Sequence, residues 1–462
     1  MFVFLMTGKE VYGKAPADYG RIYNVEDFIL ASNGDDLIGI RRCITAVVAH
    51  LYENEVSHTI IFPSRLGQAY VISGKLQAMT QNLGLFPRQS ISNSVWINIL
   101  GIKLTQGELS EQMPILTQTW SPNCSYGTPD PSPNYLGTNV LAHGIESDQA
   151  MRNFLNEQLC YTNMHYNLNA ASEEFLIFSP DERMPIIESH DPVSHSIFYF
   201  RNDVTNGPSN IHEPHLSGIN IMGLHLKGIN SASNSSNFSM LNNQHEQNFN
   251  YGIALNLISW KQVWVDNLII ENMYATGLLV NNKFVSLKNG SVEIEDNVIR
   301  NVWALKFKQA GGYDDGGDGI NFQGITDGVC RRNYVVNDVA VTNQFGRIGI
   351  ASPTEYNKNI LIEYNQIFGY DRGIHIENNQ GGFKIKHNRL TGSETALVID
   401  SYQDDCPAKN VSEFKYNYMS NEGVDVNNSS LIKLYPPDLL FTSYNFTTNV
   451  HHSSLFEKTT AS

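Results

Sequence analysis

From about residue 250 to 420 the chain repeats one pattern of apolar and polar positions. A small residue, an aliphatic residue, any residue and a further apolar or small residue are followed, some way on, by asparagine, any residue and an aliphatic residue. The first phrase reads Gly252-Ile253-Ala254-Leu255, Gly277-Leu278-Leu279-Val280, Gly319-Ile320-Asn321-Phe322, Gly349-Ile350-Ala351-Ser352, Gly373-Ile374-His375-Ile376 and Ala396-Leu397-Val398-Ile399. The second begins at Asn267, Asn297, Asn333, Asn365, Asn388 and Asn417. Steps between the small residues are 25, 42, 30, 24 and 23, so the shortest unit has the length of one solenoid coil and longer units carry added loops. The asparagines read as turn residues that stack into a hydrogen-bonding ladder rather than as ligands. Stacked units share one core through nearest-neighbour contacts, which overrides the two or three domains that 462 residues would otherwise suggest.

Toward the N-terminus the period changes. Residues 23–28 and 70–73 read as short strands and 59–63 as a strand ended by proline, while 36–53 has helical apolar spacing through Ile40, Ile44, Val47, Val48 and Leu51. An amphipathic helix here can cover the apolar end of a solenoid, with Ile40, Ile44 and Val48 as the covering face. Residues 103–210 are the least regular, with a Pro-rich loop at 128–133, a helix at 148–159 and strands at 174–178 and 196–200. They read as early coils interrupted by a long insertion that either walls one side of a groove or decorates the solenoid. The expected division is 1–80, an N-terminal cap and first coil; 81–230, early coils with the insertion at about 103–210; 231–425, regular coils; and 426–462, a C-terminal cap or tail.

Tyr23-Asn24-Val25-Glu26-Asp27-Phe28, an Asp-containing turn, the amphipathic helix, Ile60-Ile61-Phe62-Pro63 and Tyr70-Val71-Ile72-Ser73 together resemble the N-terminal capping segment of pectate-lyase-like right-handed β-helix proteins. That superfamily includes polygalacturonase-like hydrolases, polysaccharide lyases, mannuronan epimerases and phage tailspike depolymerases. Where its members usually carry a Gly-Asp-Gly turn and a second Asp, this chain has Asn33-Gly34-Asp35-Asp36. The resemblance implies an all-β fold, a right-handed single-stranded parallel β-helix with an N-terminal capping helix and a long loop insertion. It implies a polysaccharide substrate, an extracellular or virion-associated protein, and a homotrimer as the oligomer common among such proteins.

Charge and cysteine usage narrow the partners. A net charge of -15 argues against nucleic acid, which calls for clustered Lys and Arg, yet a few local cations can still hold an anionic sugar. No apolar run approaches the roughly 18 to 20 residues of a membrane helix, so no membrane partner is expected. Phe2 to Met6 is too short for the apolar core of an ordinary signal peptide. The five cysteines lack metal-site spacing, and Cys124 with Cys160 is the one pairing left open.

Strand alternation places Ile320, Ile350 and Ile374 inward and Gly319, Gly349 and Gly373 outward with Asn321, Ala351 and His375. Coils about 4.8 Å apart would stack the glycines into a shallow trough where a sugar ring approaches the backbone, unless each glycine serves only a left-handed turn. The step of 42 residues places a loop at 303–317 that carries Lys306, Tyr313, Asp314 and Asp315 to the edge of this trough, next to Asp318.

Glycoside hydrolysis needs paired carboxylates, about 5 to 5.5 Å apart for retention and about 6.5 to 9.5 Å for inversion. Adjacent coils suit the first spacing and next-but-one coils the second. Asp314, Asp315, Asp318, Asp371 and His375 are therefore the catalytic candidates, and Lys306, Tyr313, Asn321, Arg347 and Arg372 the substrate-binding ones. The Asp-rich phrase is similar to the acidic motifs of polygalacturonase-like hydrolases, although their Asn-Thr-Asp, Gly-His-Gly and Arg-Ile-Lys phrases are absent and Arg347-Ile348-Gly349 only approximates the last. Hydrolysis without a cofactor or metal is favoured. Uronide β-elimination is the alternative, and only there would Ca²⁺ join, on the Asp side chains. A tailspike-type or adhesin-type glycan-binding protein without turnover is the competing class.

Overall fold

The computed structural model describes residues 16, 18–29, 34–54, 56–73, 76–79, 95–112, 124–125, 141–142, 145–167, 175–190, 196–205, 212–214, 218–228, 253–273, 276–282, 291–302, 306–309, 312–315, 317–338, 346–353, 357–377, 381–400, 412–420, 430–435, 441–448 and 456–458. The expected Pro-rich loop at 128–133 lies outside them.

Short strands, each turning apolar residues such as Val, Ile and Leu inward, pair in parallel with the equivalent strand one turn earlier and one turn later. Three faces result. The first runs through Gly218–Met222, Gln262–Asp266, Ser291–Glu295, Asp327–Arg331, Ile360–Glu363 and Lys384–Lys386. The second runs through His225–Lys227, Ile269–Met273, Val298–Val302, Tyr334–Val336, Gln366–Phe368 and Arg389–Thr391. Ten parallel strands form the third, among them Thr276–Asn281, Asp318–Gln323, Gly346–Ser352, Tyr370–Glu377 and Thr395–Asp400. The strand Ser412–Ser420 turns a corner and pairs with both Lys384–Lys386 and Arg389–Thr391. Each coil contributes one strand to each face, so the architecture is a parallel β-helix, as the periodicity predicts. One apolar cluster runs inside the faces from Tyr23 to Ile432.

The helix Leu37–Asn54 adds Leu37, Ile40, Cys43, Ile44, Ala46 and Val47 to that cluster at the N-terminal end. The side chain of Val48, expected beside them, lies outside the described residues. Residues 23–28 are not one strand: Arg21–Asn24 is extended, and Asn24 then caps a short 3-10 helix, Val25–Phe28, by accepting the Glu26 N–H.

The corner between the first and second faces explains the repeated asparagine. Asp296, Arg332, Tyr364, His387 and Tyr416 occupy the left-handed region, with φ of 54°, 52°, 56°, 52° and 57°, a conformation that costs a non-glycine residue about 1 to 2 kcal/mol. The next residue in each coil is asparagine, and it compensates. Asn333 Nδ2 donates to Ile294 O in the preceding coil (2.9 Å) and to Asn365 Oδ1 in the following one (3.0 Å), while Asn333 Oδ1 accepts from Asn297 Nδ2 at 2.9 Å. Asn365, Asn388 and Asn417 continue the series. Asn267 does not belong to it. With φ of 53° it stands in the left-handed position, and Leu268 fills the ladder place, its N–H donating to Asn297 Oδ1.

Between the strands Trp96–Thr105 and Ile186–Ser189 the chain carries the helices Gln106–Gln112 and Gln149–Gln158, the latter capped by Asp148. Residues 160–167 and 175–178, on the C-terminal side of the second helix, lie across the asparagine corner. Thr162 donates to Asn267 Oδ1 and to Asp296 O, the Leu176 N–H donates to Gln366 Oε1, and Phe178 packs on Tyr334. Tyr166 stacks on Tyr364, which continues through His387 to Tyr416 as an external column of rings about 5 Å apart. Cys160 is buried and unbridged, which removes the Cys124 pairing. Among the described residues no helix is long and apolar enough to cross a membrane.

Asn333→Ala takes the Nδ2 donor from the buried Ile294 carbonyl and the Oδ1 acceptor from the buried Asn297 N–H, each loss worth about 1 to 3 kcal/mol. The expected outcome in urea unfolding is a loss of at least about 2 kcal/mol of stability. A neutral effect would mean that the ladder holds no load across coils.

Candidate functional site

The 42-residue step contains a β-hairpin. Lys306–Gln309 pairs antiparallel with Gly312–Asp315, matching Lys306 to Asp315, Phe307 to Asp314 and Lys308 to Tyr313. It leads directly into the third-face strand Asp318–Gln323. The side chains of Lys306, Tyr313, Asp314 and Asp315 lie outside the described residues.

The glycine column does not face solvent. A Cβ added to Gly319 would overlap the Val335 side chain, one on Gly349 would overlap Ile367, and one on Gly277 would sit 2.9 Å from Ile299. All three neighbours belong to the inner cluster, as do Ala254 and Ala396, which occupy nearby places in their coils. Two consecutive residues, the small one and the aliphatic one after it, therefore point inward where the strand begins. Glycine is used because the second face comes too close for a side chain. Simple alternation missed this, since it assumes a regular strand from its first residue. The outward trough is accordingly withdrawn.

Two residues per strand point outward instead, and they flank the inward pair. Asp318 is in register with Ile348 and then Arg372; Asn321 is in register with Ala351 and then His375. The same two columns thus carry a polar pair, an apolar pair and a polar pair. Each polar pair is closed internally. Asn321 Nδ2 donates to Asp318 Oδ2 at 2.7 Å, and Gln323 Nε2 donates to Asn321 Oδ1 at 3.2 Å. Arg372 and His375 meet through a guanidinium nitrogen and Nδ1 at 3.0 Å. Because guanidinium can only donate, Nδ1 accepts and the neutral ring holds its proton on Nε2. Two coils separate the pairs, about 10 Å. The structure thus joins Asp318 to Asn321 and Arg372 to His375, and sets Asp318 and His375 on one sheet in neighbouring columns.

The row is enclosed. Asp318 is 2% exposed and His375 3%, and Ile348, Ala351 and Val398 are buried although they lie outside the inner cluster. Asp371, beside Arg372, and Arg347, whose N–H donates to Gly317 O on the neighbouring coil, are half-buried. Tyr370 is the residue that sequence reasoning missed. Its ring is fully buried, and its hydroxyl lies 3.2 Å from where a Gly319 Cβ would stand, with no hydrogen bond among the described residues. Burial pushes its ionisation far up, and the nearby Asp318 carboxylate adds to this, so the phenol stays protonated beside the acid. Only its place opposite Gly346 in the stack marks it, and that is invisible before the register is known.

Among the described residues no cluster of three or more His, Cys, Asp or Glu could hold a metal ion. No protein-family model matches the chain, and no curated protein matches its sequence.

Gly349→Ala tests the inward column. Overpacking against Ile367 is expected to cost about 1 to 3 kcal/mol in thermal or urea unfolding. An outward glycine in a trough would accept alanine with no such loss.

Proposed function

We propose that the protein is a polysaccharide-cleaving enzyme of the pectate-lyase-like type, which hydrolyses a glycosidic bond at the third face. One observation carries this reading: an acid-amide pair, Asp318 with Asn321, and a cation-imidazole pair, Arg372 with His375, recur at the same two registers two coils apart. A row of purely structural polar residues would have no reason to skip a coil and resume in the same columns with the complementary charge.

Asp318 is the proton donor in this scheme. Its position is set by the Asn321 amide, and in its protonated form it passes its proton to the leaving-group oxygen as the glycosidic bond breaks. Asp371, on the strand that carries Arg372, is the base that takes a proton from water as the water oxygen bonds to the anomeric carbon. A spacing of two coils, just under about 10 Å between strands, leaves room for that water and lies near the upper end of the range for inversion, well beyond the spacing for retention. Arg372 and Arg347 hold an anionic substituent of the sugar, and neutral His375 offers a hydrogen bond. The hairpin brings Lys306, Tyr313, Asp314 and Asp315 into the chain just before Asp318, as further contacts to the polymer.

Asp318→Asn removes the acid and keeps the shape. Cleavage of the polymer that the native protein cuts is expected to fall at least about 100-fold in kcat, with sugar binding retained. Products heavier by one water, with inverted anomeric configuration by NMR, and a rate unchanged by EDTA are the expected signature. Unsaturated uronide products that disappear with EDTA would instead make the protein a Ca²⁺-assisted lyase. Binding of a glycan with no product from any polymer, unchanged in the Asn variant, would make it an adhesin.

A further inference from the structure

A cleft of about 470 Å³ lies on the outside of the first face, away from Asp318 and His375, and crosses four coils from Ser291–Glu295 to Lys384–Lys386. Its composition follows from the register. Glu293, Val329, Leu361 and Lys384 are successive partners in one outward column, which at the coil spacing extends about 14 Å. Asp327 and Asn359 form its flank and are bonded to each other, Asn359 Nδ2 donating to Asp327 Oδ1 at 3.3 Å. One coil before Glu293 the same column holds Trp264, packed against Trp96 with ring centroids 4.6 Å apart and ring planes tilted by 43°.

The geometry points to a second glycan-binding site here, one that takes a short stretch of neutral oligosaccharide. Val329 and Leu361 offer an apolar strip one residue wide, which suits the C–H face of a pyranose. The carboxylates of Glu293 and Asp327, the Asn359 amide and the Lys384 ammonium surround that strip with the acceptors and donors that a rim of sugar hydroxyls needs. Other ligand classes fit less well. A peptide strand would need an unpaired sheet edge, whereas Asp327–Arg331 and Ile360–Glu363 are paired on both sides. Two carboxylates facing the cleft disfavour a nucleic acid or a polyuronide. The repeat of the strands along the column matches a ligand that is itself a repeating chain. This site does not rest on the cleavage reading, because it lies on another face and shares no residue with it.

Isothermal titration calorimetry of the full chain tests it, with neutral hexasaccharides of glucose, mannose, xylose and N-acetylglucosamine as probes and a galacturonate hexasaccharide as the acidic control. At least one neutral probe is expected to bind. Leu361→Asp and the milder Glu293→Gln, each checked for an unchanged unfolding midpoint, should weaken it by about tenfold or more, and Asp318→Asn should leave it unchanged. The proposal is overturned if no neutral probe binds, if both cleft variants bind as tightly as the native chain, or if the galacturonate chain is preferred. Cleavage, read separately through Asp318→Asn, can fail or succeed without affecting this result.

Discussion

In-register hydrogen bonding between parallel strands sets every other distance in this molecule. Each strand repeats its neighbour at a fixed step, so a residue's place in its own coil decides which column it joins, and its coil number decides how far along that column it stands. The inner cluster from Tyr23 to Ile432 depends on this, because Ile320, Ile350, Ile374 and Leu397 share one core only if the register never slips. So do the asparagine ladder, the outward row of the third face and the amphipathic column of the first. A slip of one residue in any coil would bury polar groups and break all of them together.

Columns rather than local motifs therefore organise the chemistry. Asp318 and Arg372 are 54 positions apart in the chain yet share a column. The apolar pair Ile348 and Ala351 stands between the acid and the cation. Tyr370 lies buried beside the row, its phenol kept protonated by burial and its hydroxyl close to Gly319. Asp318, Asn321 and His375 are buried while Arg372 and Asp371 are half-buried, so the row meets solvent on the Arg372 side, and a polymer bound there would meet groups only partly screened by water.

Much of the fold was legible because its cause is periodic. Inward Ile and Leu at fixed intervals and an asparagine after each first strand are strong, repeated signals, and Asn297, Asn333, Asn365, Asn388 and Asn417 all sit at the corner between the first two faces in the ladder position. Asn267 misled because Leu268 had taken its role and the two differ by one place. The glycine column misled for a different reason: a Gly-Ile pair looks like ordinary alternation, and only the closeness of Val335 and Ile367 reveals that both residues point inward. Asp318, Asn321, Arg372 and His375 could be named from residue type, but the alignment of the two pairs in shared columns could not, since it depends on the register between coils. The cleft at Glu293, Val329, Leu361 and Lys384 gave no signal at all, as its residues are ordinary and only their stacking makes a surface.

Thr162, Tyr166 and Leu176 touch successive coils, through Asn267 and Asp296, Tyr364 and Gln366. A solenoid held only by nearest neighbours can unravel from either end one turn at a time, each turn lost at a small and similar penalty. A segment that grips distant turns at once changes that arithmetic, since no gripped turn can leave alone. The turns bridged in this way are coupled, so the expected order of unfolding is one in which they separate together rather than singly.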